Sequence, residues 1–480
     1  MALTSPTLYA EGLPELGDDS QTSFSPQMER KVGEQIFAEI RTREPSYIAD
    51  PEVSAYLNRL GGRLSALVDG GTSEVTGANG FEFFALRDPT LNAFAMPGGY
   101  IGVHSGLLLS AQSESELASV LAHEISHVTQ HHIGRSMSTA GIGQMAMLLS
   151  LAVAILAARS NPDMAMGAAM AGQAAGIQSK LNYSRDFERE ADRVGLQLLE
   201  RAGFDARAMP LFFNRMLKFG TLYDNNAPAY LRTHPLTTER ISAIEDRIEG
   251  RSFKFVPDSL EFQLVRAKLR AAAALPRDAI GEFEGRLRDA SPREMLIARY
   301  GLARAYLLDG DDAAAATQIR LVQQAASAQK LSSPMLDVLS AELLMRQRAA
   351  AAAANLLLAS RAHYPQDRAI NYLLIDACLA AGRAEDALKI TREDLQLFPN
   401  DPQMHALQAK TYSSLGQHMQ QHSAQAESYL LVGQLPQAIL QLELAQKADD
   451  GNFYEHSQVE VRLQELKKRH LEAMKAKRSN

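Results

Sequence analysis

One short segment of the sequence concentrates side chains that can bind a metal ion or move a proton. It carries His123, Glu124, His127, His131 and His132, whereas the whole chain of 480 residues has only 12 histidines. On a helix, His123 and His127 lie on one face and can direct ring nitrogens at a single ion, with Glu124 turned toward the space beside it. A carboxylate there suits a general base for zinc-activated water. The HExxH pattern predicts one catalytic Zn2+ per chain; solvated histidines are the alternative.

The residues before the histidines predict a partly buried helix. Ser113 and Glu116 have capping-box spacing, and one apolar stripe follows them, formed by Leu117, Val120, Leu121 and Val128. On such a helix an unpaired cluster of His, Glu and His would be costly to desolvate, which favours a bound metal. The extra residues His131 and His132 are expected to be polar surface or to support the ligands.

A catalytic zinc site needs a third protein ligand. The metzincin pattern would place glycine and histidine where this chain has Gln130 and Ile133, so that class is excluded. The other option is an acid on a second helix, in the segment NYSRDFEREADRVGLQLLERAGF. There Glu188 could reach zinc while Asp192, one turn later, orients a ligand histidine. Glu190 is expected to be solvated, and a wholly solvated acidic face remains the alternative.

The N-terminal half predicts helices around a small sheet. Ser25 with Pro26 and Asp50 with Pro51 are typical helix starts. From Gly80 on, FEFFALRD and LNAFAMPGGYIGVHSG are short aromatic and β-branched runs broken by proline and glycine, which predict strands. The predicted fold class is therefore α+β, with a mainly helical zincin-type peptidase domain that contains a small β-sheet.

A period of 34 residues appears in the C-terminal half, where strand signals are absent. Pro365 and Pro399 are 34 residues apart, as are Gly382 and Gly416. An alanine follows Gly310, Gly382 and Gly433 by five residues, but Gly433 lies half a period after Gly416, so the last unit is irregular. This period resembles the tetratricopeptide repeat and predicts an all-α solenoid. A simple helical bundle is the alternative.

Composition restricts the partners and the kind of site. A formal charge of -7 gives no broad basic surface, which argues against nucleic acid. Cys378 is the only cysteine, so an internal disulfide and cysteine-based zinc sites are excluded. The first residues lack a secretory signal, so the chain is either cytosolic or a processed form. The apolar stretch Ala140 to Ala158 favours a covered or interfacial helix over a membrane span.

The pair HEISH and FEREAD, about 65 residues apart, resembles the zinc metallopeptidases related to the CAAX prenyl endopeptidase and HtpX, which have HExxH followed by ExxxD. The resemblance implies that His123, His127 and Glu188 bind the metal. It also implies that Glu124 and Asp192 form the catalytic group, with Asp192 acting on a ligand histidine.

The segments NAFAMPGG, LASVLAHEISHVTQHH and THPLTTER, followed by the repeats, are similar to the periplasmic β-barrel assembly-enhancing proteases over nearly the whole chain. After Phe255 the composition shifts to Ala, Leu and Gln. The predicted domains are an N-terminal extension at 1–24, a zinc metallopeptidase domain at 25–255, a tetratricopeptide-repeat domain at 256–470 and a basic tail at 471–480.

This resemblance implies an endopeptidase in periplasmic quality control and assembly of outer-membrane β-barrel proteins. Its expected partners are unfolded or misassembled outer-membrane proteins and the β-barrel assembly machinery, with peripheral membrane contact as an open option. The expected compartment is the periplasm, with a signal peptide already removed. A second hypothesis is a chaperone or adaptor with a latent or structural zinc site, in which Glu124 would have no role.

Two further segments are assigned open roles. In THPLTTER, His234 could fill the fourth zinc position and hold the enzyme latent, or it could stabilise an oxyanion. The alternative is that the segment is only a turn that caps a helix. Arg240, from the same segment, is predicted with His234 as a possible fourth ligand or regulatory residue. In NAFAMPGG, an edge strand is predicted to bind substrate through Asn92, Ala93, Phe94 and Ala95, unless it is an ordinary hairpin.

Overall fold

The computed structural model describes residues 25–68, 80–137, 185–222, 229–251 and 255–478. The predicted extension 1–24 and the apolar stretch 140–158 lie outside the described residues. Within the described ranges, no helix combines the length and apolar character needed to cross a membrane.

Two helices precede the sheet, and both begin at the predicted caps. Helix α1 (Pro26–Arg43) follows Ser25, whose hydroxyl accepts a hydrogen bond from the Met28 amide. Helix α2 (Pro51–Ser65) follows Asp50, whose carboxylate accepts hydrogen bonds from two amides of the first turn. Proline at the first helical position needs no amide partner, so cap and proline together fix each start.

The sheet has three strands in the spatial order β1-β3-β2. They are β1 (Glu82–Leu86), β2 (Ala93–Met96) and β3 (Tyr100–His104). Strand β1 is parallel to β3 and β2 is antiparallel to it. Gly98 and Gly99, in the tight turn between β2 and β3, have φ of 74° and 88°, which only glycine adopts at low cost. Because β3 lies between the other two strands, β2 is an edge strand, as the sequence predicts.

Seven helices follow the sheet in the described part of the peptidase region. They are α3 (Ser105–Ser110), α4 (Glu114–Thr129), α5 (His132–Met137), α6 (Arg185–Arg201), α7 (Ala208–Leu222), α8 (Ala229–Thr233) and α9 (Thr238–Ile248). The Ser113 hydroxyl caps α4 by accepting from the Glu116 amide, and Gly203 follows α6 with φ 80°. Helix α4 packs against β2, α2, α6 and α7, so it lies at the centre of the domain.

The C-terminal region is a continuous series of packed helices. They are α10 (Leu260–Ala273), α11 (Pro276–Arg286), α12 (Pro292–Asp309), α13 (Asp312–Ala328), α14 (Pro334–Arg346), α15 (Ala350–His363), α16 (Arg368–Ala380), α17 (Ala384–Leu397), α18 (Pro402–Ser414), α19 (His418–Leu431), α20 (Leu435–Gln446) and α21 (Phe453–Arg478). Gly310, Gly382 and Gly416 follow helices with φ from 72° to 87°, so the periodic glycines mark turns between helices. The α+β class with a C-terminal helical repeat is confirmed.

One hydrophobic core crosses the boundary predicted at residue 255. It extends from Ile48 in the peptidase region to Leu343 in α14. Polar contacts cross the same boundary: the buried Arg304 guanidinium lies 2.7 Å from the Glu52 carboxylate of α2. The first repeats are therefore packed directly on the peptidase helices.

Candidate metal centre

Helices α4 and α6 bring the predicted ligands together. Helix α4 carries His123 and His127, and α6 carries Glu188. The two helices approach closely at Gly195, where an added Cβ would lie 3.0 Å from the backbone nitrogen of His123 and 3.1 Å from the Ala122 carbonyl. A larger residue at this position would push α6, and Glu188 with it, away from the histidines.

The ligand atoms have the spacing of a small tetrahedral cation site. His123 Nε2 and His127 Nε2 are 3.0 Å apart, and each lies 3.5 Å from a carboxylate oxygen of Glu188. Bond lengths of about 2.05 Å to zinc imply ligand atoms about 3.3 Å apart at tetrahedral angles. The two imidazoles and the carboxylate therefore fit zinc without rearrangement.

A fourth side chain completes the group. His234 follows α8, and its Nδ1 lies 3.0 Å from Oε1 of Glu188. Its ring centroid is 5.2 Å from that of His123 and 5.1 Å from that of His127. One ligand atom from each of these four buried residues lies within 4.8 Å of the others, so the group can hold a metal ion.

Asp192 and Arg240 contact the ligand residues His123 and Glu188 and fix their orientation. Asp192 Oδ1 is 3.0 Å from Nδ1 of His123, and Arg240 donates to both Asp192 oxygens at 2.7 and 2.8 Å. Arg240 Nη1 also lies 2.7 Å from Oε2 of Glu188. Because an ionised carboxylate only accepts, the Nδ1 proton of His123 faces Asp192, so the neutral form of His123 directs its Nε2 lone pair toward the ligand group. Asp192, predicted as part of the catalytic group, thus contacts a ligand rather than the open side of the site.

The charges of the buried groups depend on one another. Burial lowers the pKa of His123, but hydrogen bonds to Asp192 and Glu188 outweigh it and raise the pKa to about 9. Burial raises the pKa of Glu188, but the neighbouring His234 and His123 bring it well below its ordinary value. Burial and the charge on His123 lower the pKa of His127. Without metal, this site therefore holds a proton on His123.

Glu124 lies beside the ligands and is fully buried. Its Oε1 is 3.6 Å from Nε2 of His234, and within the described residues neither carboxylate oxygen has a well-formed hydrogen bond. Burial raises the pKa of Glu124, opposed by His234, His123 and the nearby backbone amide of Ala95. A carboxylate with a raised pKa and spare acceptor capacity suits a general base.

The histidine after the helix has a role that the sequence left undecided. His132 is buried, and its Nδ1 lies 2.9 Å from Nδ1 of the ligand His127. Its Nε2 lies 3.0 Å from Glu190, whose side chain is 29% exposed, so Glu190 is only partly solvated. His131 has φ 51° and a partly exposed side chain, outside α4. The positive φ at a non-glycine residue turns the chain, so helical spacing could not have placed His132.

Tyr230 is a site residue that the sequence analysis missed. Its ring stacks on His234 with centroids 4.6 Å apart, and its buried hydroxyl has no hydrogen-bond partner in the described part of the chain. Burial, together with Glu124 and Glu188, raises its pKa well above the ordinary value. Its spacing of four residues before His234 was a usable signal, because α8 then places both rings on one face.

The predicted substrate strand runs beside Glu124. The His104 amide donates to the Asn92 carbonyl at 3.0 Å, so Asn92 pairs with β3. Because pairing alternates in an antiparallel ladder, the backbone groups of Ala93 and Ala95 face away from β3 while those of Phe94 face toward it. The Ala95 amide near Glu124 agrees with this assignment.

Comparisons with known proteins identify the two parts of the chain. The model of peptidase family M48 matches residues 54–248, and a tetratricopeptide-repeat model matches residues 344–411. These matches cover the metal centre and the middle of the helical repeats, respectively.

Similar proteins extend the likeness over most of the length. The β-barrel assembly-enhancing protease of Escherichia coli K12 is 30% identical over 468 residues, which are 95% of this chain and 92% of that protein. A Vibrio cholerae relative is 38% identical over 299 residues, 62% of this chain and only 60% of that protein. The mitochondrial metalloendopeptidase OMA1 of Schizosaccharomyces pombe is 30% identical over 232 residues, 48% of this chain and 62% of that protein.

The family match, the relatives and the buried ligand group agree with the expected metalloprotease. The chain therefore belongs to peptidase family M48, among the β-barrel assembly-enhancing proteases, and is a metalloprotease followed by tetratricopeptide repeats.

Proposed function

We propose that the protein is a zinc-dependent endopeptidase in the quality control and assembly of outer-membrane β-barrel proteins. The observation that carries the proposal is the buried group of His123, His127, Glu188 and His234 within 4.8 Å, with Glu124 beside it. Two imidazoles and one distal carboxylate are a donor set of catalytic zinc sites. When bound, zinc supplies the Lewis acidity that activates water for attack on a peptide carbonyl.

The chain's own residues have separate roles in that reaction. His123, His127 and Glu188 hold the ion, and Asp192 keeps His123 in the tautomer whose Nε2 is free to bind. Glu124 accepts the proton of the attacking water and can return it to the leaving amine, since its raised pKa suits both steps.

Replacing Glu124 tests this assignment. Glu124→Gln keeps the shape of the side chain but cannot accept a proton, so digestion of casein should fall by at least a hundredfold while the zinc content stays at one per chain. Glu239→Gln, an exposed change outside the ligand group, is the matched control. Casein digestion by the Glu124→Gln protein at the wild-type rate would remove the hydrolase proposal.

The position of His234 supports the proposal that the enzyme has a latent form. His234 is one of the four buried ligand-type residues, and Glu124 is fully buried, so among the described residues a peptide could reach the group only after part of the site moves. The Tyr230 amide also donates to the Leu91 carbonyl at 3.3 Å, so the segment that carries His234 lies against the outer edge that leads into β2. Movement of this segment would free the fourth position and the strand together. Release of His234 would also leave it free to stabilise an oxyanion.

Substrate binding is proposed at β2, through the outward backbone groups of Ala93 and Ala95. An extended peptide added to this edge would run alongside Glu124. Asn92 and Phe94 pair toward β3, so within the predicted set they would shape the site rather than donate to the substrate backbone.

The substrate class and the compartment are part of the same proposal. β-Barrel membrane proteins belong to outer membranes, and relatives named for β-barrel assembly match 95% of this chain. We therefore propose a periplasmic location, with unfolded or misassembled outer-membrane proteins as clients. The repeats would recruit these clients or the β-barrel assembly machinery.

A second candidate function follows from the same four residues. If His234 never leaves the ion, the site is closed and structural, and the protein acts as a chaperone or adaptor through its repeats. The fully buried Glu124, which such a site does not need, favours the enzyme. A Glu124→Gln protein that supports assembly in cells as well as wild type would favour the adaptor.

A further inference from the structure

His127 does not share the carboxylate that orients the other ligand histidine. Its Nδ1 meets a second imidazole, that of His132, at 2.9 Å. Nε2 of His132 lies 3.0 Å from Oε2 of Glu190, and Nη1 of Arg135 lies 3.0 Å from the same oxygen. A chain of polar contacts therefore leads from a ligand to Glu190, whose side chain is 29% exposed.

Glu190 determines which nitrogen donates and which accepts in each of these hydrogen bonds. Glu190 Oε2 lies 3.0 Å from both Nε2 of His132 and Nη1 of Arg135, and the Arg135 guanidinium beside it favours the ionised carboxylate. An ionised carboxylate only accepts, so Nε2 of His132 must donate. Two ring nitrogens 2.9 Å apart share one proton between them, and His132 already carries its own proton at Nε2, so its Nδ1 accepts. His127 must then donate from Nδ1, which leaves its Nε2 lone pair facing Glu188.

Packing fixes the plane of the intermediate ring. The His132 ring stacks on Phe187 with centroids 4.5 Å apart and an interplanar angle of 11°. Arg135 covers the same Phe187 ring at 4.6 Å. Phe187 and Glu190 both belong to α6, the helix that also supplies the ligand Glu188. The support of His127 and the third ligand therefore move together with α6.

We propose that His132 and Glu190 are positioning residues of the metal centre, with Glu190 setting the tautomer and orientation of His127 through His132. Neither residue belongs to the predicted ligand set or the catalytic group, and neither would touch the substrate. The proposal rests on the zinc site described above and concerns how tightly the ion is held.

Zinc affinity measured by chelator competition tests the proposal. Glu190→Ala should weaken zinc binding by 10-fold or more, the range in which partners of metal ligands act, about 10 to 100-fold. Glu190→Gln loses the same charge but keeps an acceptor for His132, so it should recover most of the affinity. Glu200→Ala is the matched control, because Glu200 lies on the same helix, is 27% exposed and pairs with Arg251.

The outcomes separate this proposal from the zinc site itself. If wild type and Glu200→Ala bind zinc while Glu190→Ala binds it equally well, the positioning role is wrong and the zinc site stands. Equal losses in Glu190→Ala and Glu190→Gln would also overturn it, since charge alone would then explain the effect. A wild-type protein without zinc affinity would remove both proposals.

Nitrogen-15 spectra of the zinc-loaded protein, with labelled histidine, give an independent readout. Wild type should show His127 protonated at Nδ1 and His132 protonated at Nε2. In Glu190→Ala, His132 should lose its single tautomer, because the Glu190 carboxylate that accepts the Nε2 proton is removed. An unchanged tautomer of both rings in Glu190→Ala would contradict the inference.

Discussion

Zinc binding should release a proton from His123, and the amount follows from its pKa. In the metal-free protein this pKa is about 9, so about 97% of His123 is charged at pH 7.5, against about 9% for a histidine at the ordinary value of 6.5. A histidine must be neutral to bind a metal. We therefore expect about one proton released per zinc ion from His123, ten times more than from an unperturbed ring.

The sign of the pH dependence follows from the same shift. Because the raised pKa favours the protonated ring, protons compete with zinc below pH 9. In the Glu124→Gln protein, where His123 is the group that loses a proton, the apparent zinc affinity should rise about tenfold per pH unit from 6.5 to about 9 and then level off. If the pKa of His123 were instead below 6.5, the zinc affinity would not depend on pH over this interval.

Isothermal titration calorimetry in buffers of different ionisation enthalpy measures the release. The Glu124→Gln protein is the right material, because Glu124 also has a raised pKa and could add a proton of its own. At pH 7.5 this variant should release about one proton. A release near zero, with zinc bound stoichiometrically, would refute the charge assignment of His123 and the role of Asp192 in raising its pKa.

Two further predictions concern access to the site. His234→Ala should raise casein digestion several-fold, because it opens the fourth position; an unchanged or lower rate would show that His234 does not restrain the enzyme. Ala93→Pro removes one amide that faces away from β3, at the first residue of β2 where proline is tolerated. Because Ala93 is buried, Tm is measured beside the kinetics. In protein that keeps the wild-type Tm, kcat/KM should fall about tenfold or more, whereas unaltered kinetics would place the substrate elsewhere.

The local parts of this site follow from sequence spacing. His123 and His127 share a face because α4 is a regular helix with its predicted cap, and Glu188 and Asp192 share a face of α6 for the same reason. Each relation spans about one helical turn. What the residues alone left open was whether α6 meets α4, and Gly195 shows how closely it does.

The rest of the site depends on contacts between distant segments. Arg240 joins Asp192 and Glu188 across 48 residues or more of sequence, and no period or spacing indicates that contact. The position of His132 depends on the positive φ of His131, which has no glycine to signal it. Likewise, the domain boundary predicted from composition does not coincide with a break in packing, since side chains on both sides of it share one core.

Charge balance explains how so many ionisable groups remain buried around the metal centre. Without metal, the charges of Glu188 and Asp192 are balanced by Arg240 and the protonated His123, so charge balance favours a neutral Glu124, the direction in which burial also shifts its pKa. With a divalent cation bound, both histidine ligands are neutral, and neutrality then requires Glu124 to be ionised. Buried charges that are not balanced cost several kcal/mol. Zinc binding should therefore release two protons, one from His123 and one from Glu124. Wild type should therefore release about one proton more than Glu124→Gln, and equal release would show that Glu124 keeps its charge in both states.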